Sequence, residues 1–243
     1  MKKIHIKKIS EINKDKLVEF YKKSFQFESG VIENFNWRYR LGFNDYEPIV
    51  LIIDDQICGH AGLIPVKIKI NNIINNAIWF TDFFINTDYR SKGYGKLLTE
   101  EWMKICPIQI TFCNEDSLRV FKKYNWVNNK KFIRKVKFNN YLNIIPKFEN
   151  TTYSNNYKDV ENLQCLELSN STISKIIEIN SQNQIQQDYG ILRDEKWFKW
   201  RLIDCPYKKN IFILKIRDQY LVAHLRFKKK FKILNVVYST SDI

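Results

Sequence analysis

Ile85-Asn86-Thr87-Asp88-Tyr89-Arg90-Ser91-Lys92-Gly93-Tyr94-Gly95-Lys96 leads out of an apolar strand and into a helix, and its reading decides the fold. Two of the seven glycines in the 243-residue chain fall here, Gly93 and Gly95. Glycine at a strand-to-helix junction lets backbone N–H groups converge on an anion with no Cβ in the way, and the helix start adds partial positive charge. Arg90, Lys92 and Lys96 strengthen that field. The spacing is too short for a P-loop, which keeps four residues between its glycines. The strand before it belongs to a meander and not to a βαβ unit, which argues against a dinucleotide fold. A plain tight turn is the alternative reading of these residues taken alone.

Upstream, Leu17, Val18, Phe20, Tyr21 and Phe25 recur at helical spacing between Ile12 and Phe25. A short second helix is predicted near Val31–Arg40, carrying Trp37-Arg38-Tyr39-Arg40. The β-branched run Ile49–Ile53 ends at Asp54-Asp55-Gln56, a hairpin connection into Ile57–Ile64. Alternating Val66–Ile70 turns at Asn71-Asn72 and returns through Ala77–Ile85, completing an antiparallel meander. Downstream of the glycines, Leu98, Trp102 and Ile105 mark a helix, 108–112 a strand, 116–124 a helix and 131–138 a strand.

A polar stretch at 149–162 reads as a linker, and beyond it the sequence repeats itself. Trp37-Arg38 matches Trp200-Arg201 and Asp55-Gln56 matches Asp218-Gln219, each 163 residues apart. In the same register Ile49–Ile53 falls on Phe212–Ile216, and Lys67–Ile70 on Lys230–Ile233. The glycine loop has no second copy. The expected division is therefore a first domain at 1–145, a linker at 146–165 and a partial repeat at 166–243.

Composition narrows the classes. Hydrophobic content of 44% and charged content of 27% exclude disorder and fibrous repeats. The longest uncharged run, Ile70–Thr81, is too short and polar for a membrane helix, and the basic start has no apolar core after it, so a cytoplasmic protein is expected. Five cysteines with no C-x-x-C pair and three histidines give no metal spacing, so no metal is expected. The net charge of +14 admits an anionic partner, but a chain rich in Lys, Asn and Ile and poor in Gly and Pro is also what an AT-rich coding sequence imposes. Nucleic acid has no motif in its favour.

The glycine loop resembles the acyl-CoA loop of the GNAT N-acetyltransferases, R/Q-x-x-G-x-G/A after the fourth strand. Asn114-Glu115-Asp116-Ser117-Leu118-Arg119-Val120-Phe121-Lys122-Lys123-Tyr124-Asn125-Trp126 is similar to that family's second block. The Trp-Arg stretches resemble, more loosely, members found among bacterial surface-polysaccharide genes. The resemblance implies an α/β fold with a mixed, mostly antiparallel sheet flanked by helices, followed here by a C-terminal half-repeat of the same fold. It also implies that acetyl-CoA is the acyl donor and a small primary amine the acceptor, with a nucleotide-linked amino sugar expected. Backbone amides from Ser91 through Lys92, Gly93, Tyr94 and Gly95 to Lys96, with Arg90 beside them, would hold the pyrophosphate. Asn114 and Ser117 would face the pantetheine arm. The open strand through Phe84 and Ile85 would pair with the pantetheine and offer an N–H to the thioester oxygen.

Phe121 stands where many members carry a tyrosine acid; Tyr124, one turn on, is the candidate substitute donor, and the alternative is a thiolate that leaves at neutral pH without help. Asn125 replaces the usual glycine as a residue that tolerates left-handed backbone. For the base, Asp82 lies inside an apolar strand, where burial is expected to raise its pKa; the alternative is a structural acceptor for a backbone N–H or an arginine. His60, beside Gly59, is a second base candidate or a packing histidine. Trp37 and Trp200 are expected in the core, and Arg38, Arg40 and Arg201 at an anionic acceptor. A degenerate module that kept the loop and lost the chemistry is the other class of function.

Overall fold

Alternating apolar residues around two short polar turns build the first sheet. The computed structural model of the chain describes residues 2–25, 34–127, 163–185, 189–228 and 231–240. Strands β2 (Ile49–Ile53), β3 (Gln56–Ile70) and β4 (Ile73–Ile85) form the expected meander. Asp54 and Asp55, at φ 48 and 65, and Asn71 and Asn72, at φ 47 and 66, make its two-residue turns. Left-handed backbone at both turn residues matches the twist of the strands, and Asn and Asp tolerate it. β1 (Ile4–Lys8) pairs antiparallel with β2, although Ile4-His5-Ile6 between lysines reads from sequence only as a basic start. β5 (Gln109–Thr111) adds in parallel to β4, giving the order β1-β2-β3-β4-β5.

Helix α1 (Lys14–Ser24), capped by Asn13, lies on β3, and α2 (Phe35–Arg38) follows the undescribed residues 26–33. Helix α3 (Tyr94–Met103) packs on β2 and β3, and its Trp102 ring stacks on Phe80 at 4.1 Å. Gly59 permits that approach: a Cβ there would stand 2.7 Å from Ile85 Cδ1 and 3.3 Å from Leu98 Cδ2. Helix α4 (Glu115–Lys122) opens the second block, and Asn125 just beyond it takes φ 61, as its replacement of glycine requires.

The chain forms two compact units that do not follow the expected division. The first holds residues 1–112 and 177–208, the second 113–176 and 209–243. The boundary drawn at 146–165 is corrected on two counts. Strand β6 (Leu163–Leu166) runs across the end of the expected linker, and helix α5 (Asn170–Ile185) follows it. Strand β7 (Tyr189–Ile191), from the expected repeat, pairs antiparallel with Ile68–Ile70 of β3, extending the first sheet beyond the end of β2. The predicted strand at 131–138 lies outside the described residues.

In the second unit β8 (Ile211–Ile216), β9 (Gln219–Lys228) and β10 (Phe231–Ser239) form a further meander, ordered β10-β9-β8-β6. The repeat holds for its first hairpin: β8 ends and β9 begins where the sequence match puts them. It fails at the second, because β9 is shorter than β3 and the match of Lys67–Ile70 begins at Lys230, outside the described residues, and continues in β10.

The repeated Trp-Arg stretches meet within the first unit. Helix α6 (Glu195–Phe198) continues into a π-helical turn at Lys199–Ile203, closed by a bond from Asp204 N to Lys199 O of 2.9 Å. Such turns alter the backbone bonding of a helix. Trp37 Nε1 donates to the carbonyl of Trp200 at 2.6 Å, and Trp200 Nε1 donates to the carbonyl of Trp37 at 2.7 Å. Arg40 stacks between Phe43, at 3.7 Å, and Trp200, at 4.5 Å, and donates to the carbonyl of Pro65. That carbonyl lies on the stretch of β3 left open between β2 and β7.

Candidate functional site

Strands β4 and β5 pair over three positions only, Ile78–Phe80 with Gln109–Thr111. Thr111 Oγ1 donates to the Phe80 carbonyl at 3.0 Å, the last side-chain bond across the pair. From Thr81 to Ile85 the β5 side of β4 has no strand neighbour among the described residues, in keeping with the open strand expected through Phe84 and Ile85.

The glycine loop follows directly. Ser91 is at φ 59 and Gly93 at φ 84, so the chain enters α3 through two left-handed residues. Gly93 occupies the N-cap and carries no side chain to cap with, leaving the first N–H groups of α3 for a ligand. Its requirement is conformational, because a Cβ there would meet no protein atom within 4 Å. Gly95 tolerates a Cβ at ordinary contact, 3.8 Å from Ile85 Cγ1. The flanking cations partly serve the loop itself: Arg90 Nε donates to the Ile85 carbonyl at 2.9 Å and Lys92 Nζ to the Asp88 carbonyl at 2.6 Å. Lys96 pairs with Glu100 at 3.7 Å. Tyr94 stands beside Tyr89.

Asp82 and His60 belong to one buried polar array. A register shift between His60 and Gly62 leaves Asp82 and Phe83 opposite Ala61, a bulge, and Asp82 takes φ 49. Its carboxylate accepts from Arg38 Nε at 2.8 Å, Arg38 Nη2 at 2.7 Å and the Tyr39 hydroxyl at 2.8 Å. Its carbonyl lies 2.8 Å from His60 Nδ1. A carbonyl only accepts, so Nδ1 carries the proton, and Nε2 of the neutral ring accepts from the Tyr21 hydroxyl at 2.6 Å. Phe84 borders the array, touching Phe20 and Phe25, and Arg90 lies over its ring.

These bonds correct both base expectations. Burial pushes the Asp82 pKa up, but the hydrogen bonds and charge of Arg38, with the Tyr39 hydroxyl, outweigh it and hold it below the ordinary value. Asp82 is thus an ionised acceptor for an arginine, the alternative reading of the sequence. His60 is fully buried, and burial lowers its pKa to about 4. A sealed ring that donates to a carbonyl and accepts from a tyrosine has no free position for a substrate proton. Tyr21 and Tyr39 were not singled out as site residues by sequence, and Arg38 was expected at an anionic acceptor and not at Asp82. The signal was present in Tyr39 beside Arg38, and in Tyr21 on the apolar stripe of α1.

Gly62 leaves room for the array: a Cβ there would come within 2.7 Å of the Thr81 carbonyl oxygen and 2.9 Å of the Tyr39 ring. Gly62→Ala is expected to cost about 1–3 kcal/mol of stability through overpacking. Denaturant titration measures it, and an unchanged midpoint would mean that the bulge yields freely.

Asn114, Ser117 and Tyr124 belong to the second unit. Asn114 caps α4, accepting from Ser117 N at 2.9 Å, so both members of that pair are engaged in the helix start. Phe121 is buried against Trp126, and Tyr124, past the helix end, is half-buried. Arg38, Arg40 and Arg201, expected at an anionic acceptor, are occupied inside the chain: Arg201 lies over the Trp37 and Trp200 rings. Among the described residues no group of His, Cys, Asp and Glu is arranged to hold a metal, and no helix is long and apolar enough to cross a membrane.

The fold is the mixed, mostly antiparallel α/β fold of the GNAT acyltransferases. Yeast (Saccharomyces cerevisiae) N-myristoyltransferase, solved with bound myristoyl-CoA, superposes with a TM-score of 0.57 at 12% identity, over 97% of this chain and 65% of that one. A GCN5-related N-acetyltransferase from Kribbella flavida gives 0.57 at 10% identity, over 99% of this chain and 59% of that one. Glucosamine-6-phosphate N-acetyltransferase from Arabidopsis thaliana gives 0.42 at 18% identity, over 56% of this chain and 98% of that one. The chain thus spans under two thirds of the length of the two structures that match it throughout. No curated protein matches it significantly in sequence. Residues 8–126 match the model of the acetyltransferase (GNAT) family.

Proposed function

We propose that the protein transfers an acyl group from acyl-CoA, with acetyl-CoA as the first candidate, to a primary amine. The observation that carries the reading is the left-handed Gly93 at the uncapped start of α3, one turn beyond a strand that has parted from β5. Phosphate oxygens of coenzyme A would bind the N–H groups of Ser91–Lys96, and the pantetheine amides would pair with the free side of β4 through Phe84 and Ile85. The acceptor is kept at the level of a primary amine, since the arginines that argued for a diphosphate are engaged elsewhere. A nucleotide-linked amino sugar is the first compound to try.

Gly93→Ala forces a Cβ into left-handed backbone at a cost of about 1–2 kcal/mol. Coenzyme A affinity measured by calorimetry is expected to fall about tenfold. Equal affinity in the variant would remove the loop assignment. Thiol release from acetyl-CoA is then followed with nucleotide-linked amino sugars, free amino sugars, polyamines, peptides and tRNA, and turnover with a small amine is expected. The buried Phe121, which cannot donate a proton, favours one second reading, a module that binds coenzyme A without chemistry. Tight binding with no thiol release from any amine would select it.

A further inference from the structure

The bulge of β4 recurs in the second unit, at the same point of the meander. Ile49 faces Ala61, and its repeat partner Phe212 faces Ala223. On one side of that position Gly62 faces Thr81 and His224 faces Asn235; on the other, His60 faces Phe84 and Val222 faces Tyr238. Asp82 and Phe83 are therefore matched by Val236 and Val237, two residues opposite one in both sheets.

The polar residues do not recur. Val222, buried, stands for His60, and Val236, half exposed, stands for Asp82. Asp82 is left-handed at φ 49, whereas among the described residues none in β10 has positive φ. The chain thus holds its own control. A bulge forms here with valines and ordinary backbone, so the buried array is not needed to make a bulge; it goes with the left-handed form of this one. Aspartate tolerates left-handed backbone in a turn, but Asp82 takes it inside a paired strand, where surrounding bonds fix it. Here three bonds hold the carboxylate and one holds the carbonyl.

We infer that His60, backed by Tyr21, is a positioning residue for acyl transfer: by fixing the Asp82 carbonyl it sets the aim of the backbone N–H groups of Phe83–Ile85 on the open side of β4, toward the thioester oxygen. The extra residue reverses the alternation of the strand in both units; the left-handed turn at Asp82, found in the first unit alone among the described residues of the two bulges, sets how the groups that follow are aimed. His60 touches neither cofactor nor substrate and acts through the backbone. The inference rests on the acyl-CoA reading above.

The test is the isotope-edited infrared spectrum of acetyl-CoA labelled with carbon-13 at the carbonyl, alongside calorimetry of coenzyme A. Bound to the wild-type protein, the thioester carbonyl is expected to stretch at lower frequency than in water. His60→Val, the residue of the second unit, is expected to lose that shift while coenzyme A still binds through the glycine loop. His60→Asn, whose amide can donate where Nδ1–H did, is expected to keep it; a merely structural histidine would not distinguish the two. If His60→Val does not fold, Tyr21→Phe is read in its place, with partial loss of the shift expected. An unshifted carbonyl in the bound wild type, or a shift unchanged in the folded variant, overturns the positioning role alone. Failure of the wild type to bind either compound overturns the acyl-CoA reading and this role with it.

Discussion

Acidification from pH 6.5 to pH 4 is expected to remove about 3 kcal/mol more stability from the wild-type protein than from His60→Asn. Burial lowers the His60 pKa from 6.5 to about 4. Between these values the unfolded chain binds a proton at this position and the folded chain does not, so stability is present above pH 6.5 and lost as pH falls through the window. Asparagine cannot titrate, and its difference from wild type isolates one group from all other carboxylates and histidines. Denaturant titrations at pH 7, 5.5 and 4 measure it; parallel losses in the two proteins would show that His60 is protonated in the fold. Asp82, also held low, adds its own loss only below the ordinary aspartate range, near pH 4 and under.

Replacing Trp200 by alanine is expected to cost about 3–5 kcal/mol, the usual range for truncating a buried tryptophan. The indole is 8% exposed, donates to the Trp37 carbonyl and covers one face of the buried Arg40 cation. Burial, opposed by the charge of Asp194, has already lowered the Arg40 pKa to about 10, so opening that face to water changes the surroundings of a buried charge. Trp37→Phe, which removes the donor to the Trp200 carbonyl and part of the ring but keeps an aromatic face, is expected to cost at least about 1 kcal/mol. Thermal or denaturant unfolding reads both, and a Trp200→Ala loss under 1 kcal/mol would mean that the two indoles are neighbours without consequence.

The parts legible in the sequence are those whose physics is local. Asp54-Asp55 and Asn71-Asn72 announce their turns because few other residues accept two successive left-handed positions. Gly93 announces the loop for the same reason. The strand β1 was not legible, because it is an exposed edge whose isoleucines are flanked by lysines, with no apolar run to betray it. The state of Asp82 was not legible either. Its partners Arg38 and Tyr39 are 44 and 43 residues away in sequence, and whether burial or pairing wins depends on a distance no local pattern encodes. The domain boundary failed in the same way, since the pairing of β7 with β3 joins segments far apart in the chain.

Trp37 and Trp200 give each other the same bond, and residues related by the repeat that do so form an isologous contact, the kind that two-fold dimers use. Between separate chains such a contact weakens on dilution, and every substitution in it is felt twice. Within one chain its partners stay at a high effective concentration whatever the amount of protein, and each copy can change alone. The neighbouring arginines record that freedom. Arg38 has turned to the Asp82 carboxylate and become part of the bulge, while Arg201, at the matching position, lies over the two indoles. A symmetric contact thereby supports two unlike neighbourhoods, one polar and tied to the site, the other aromatic and tied to the core.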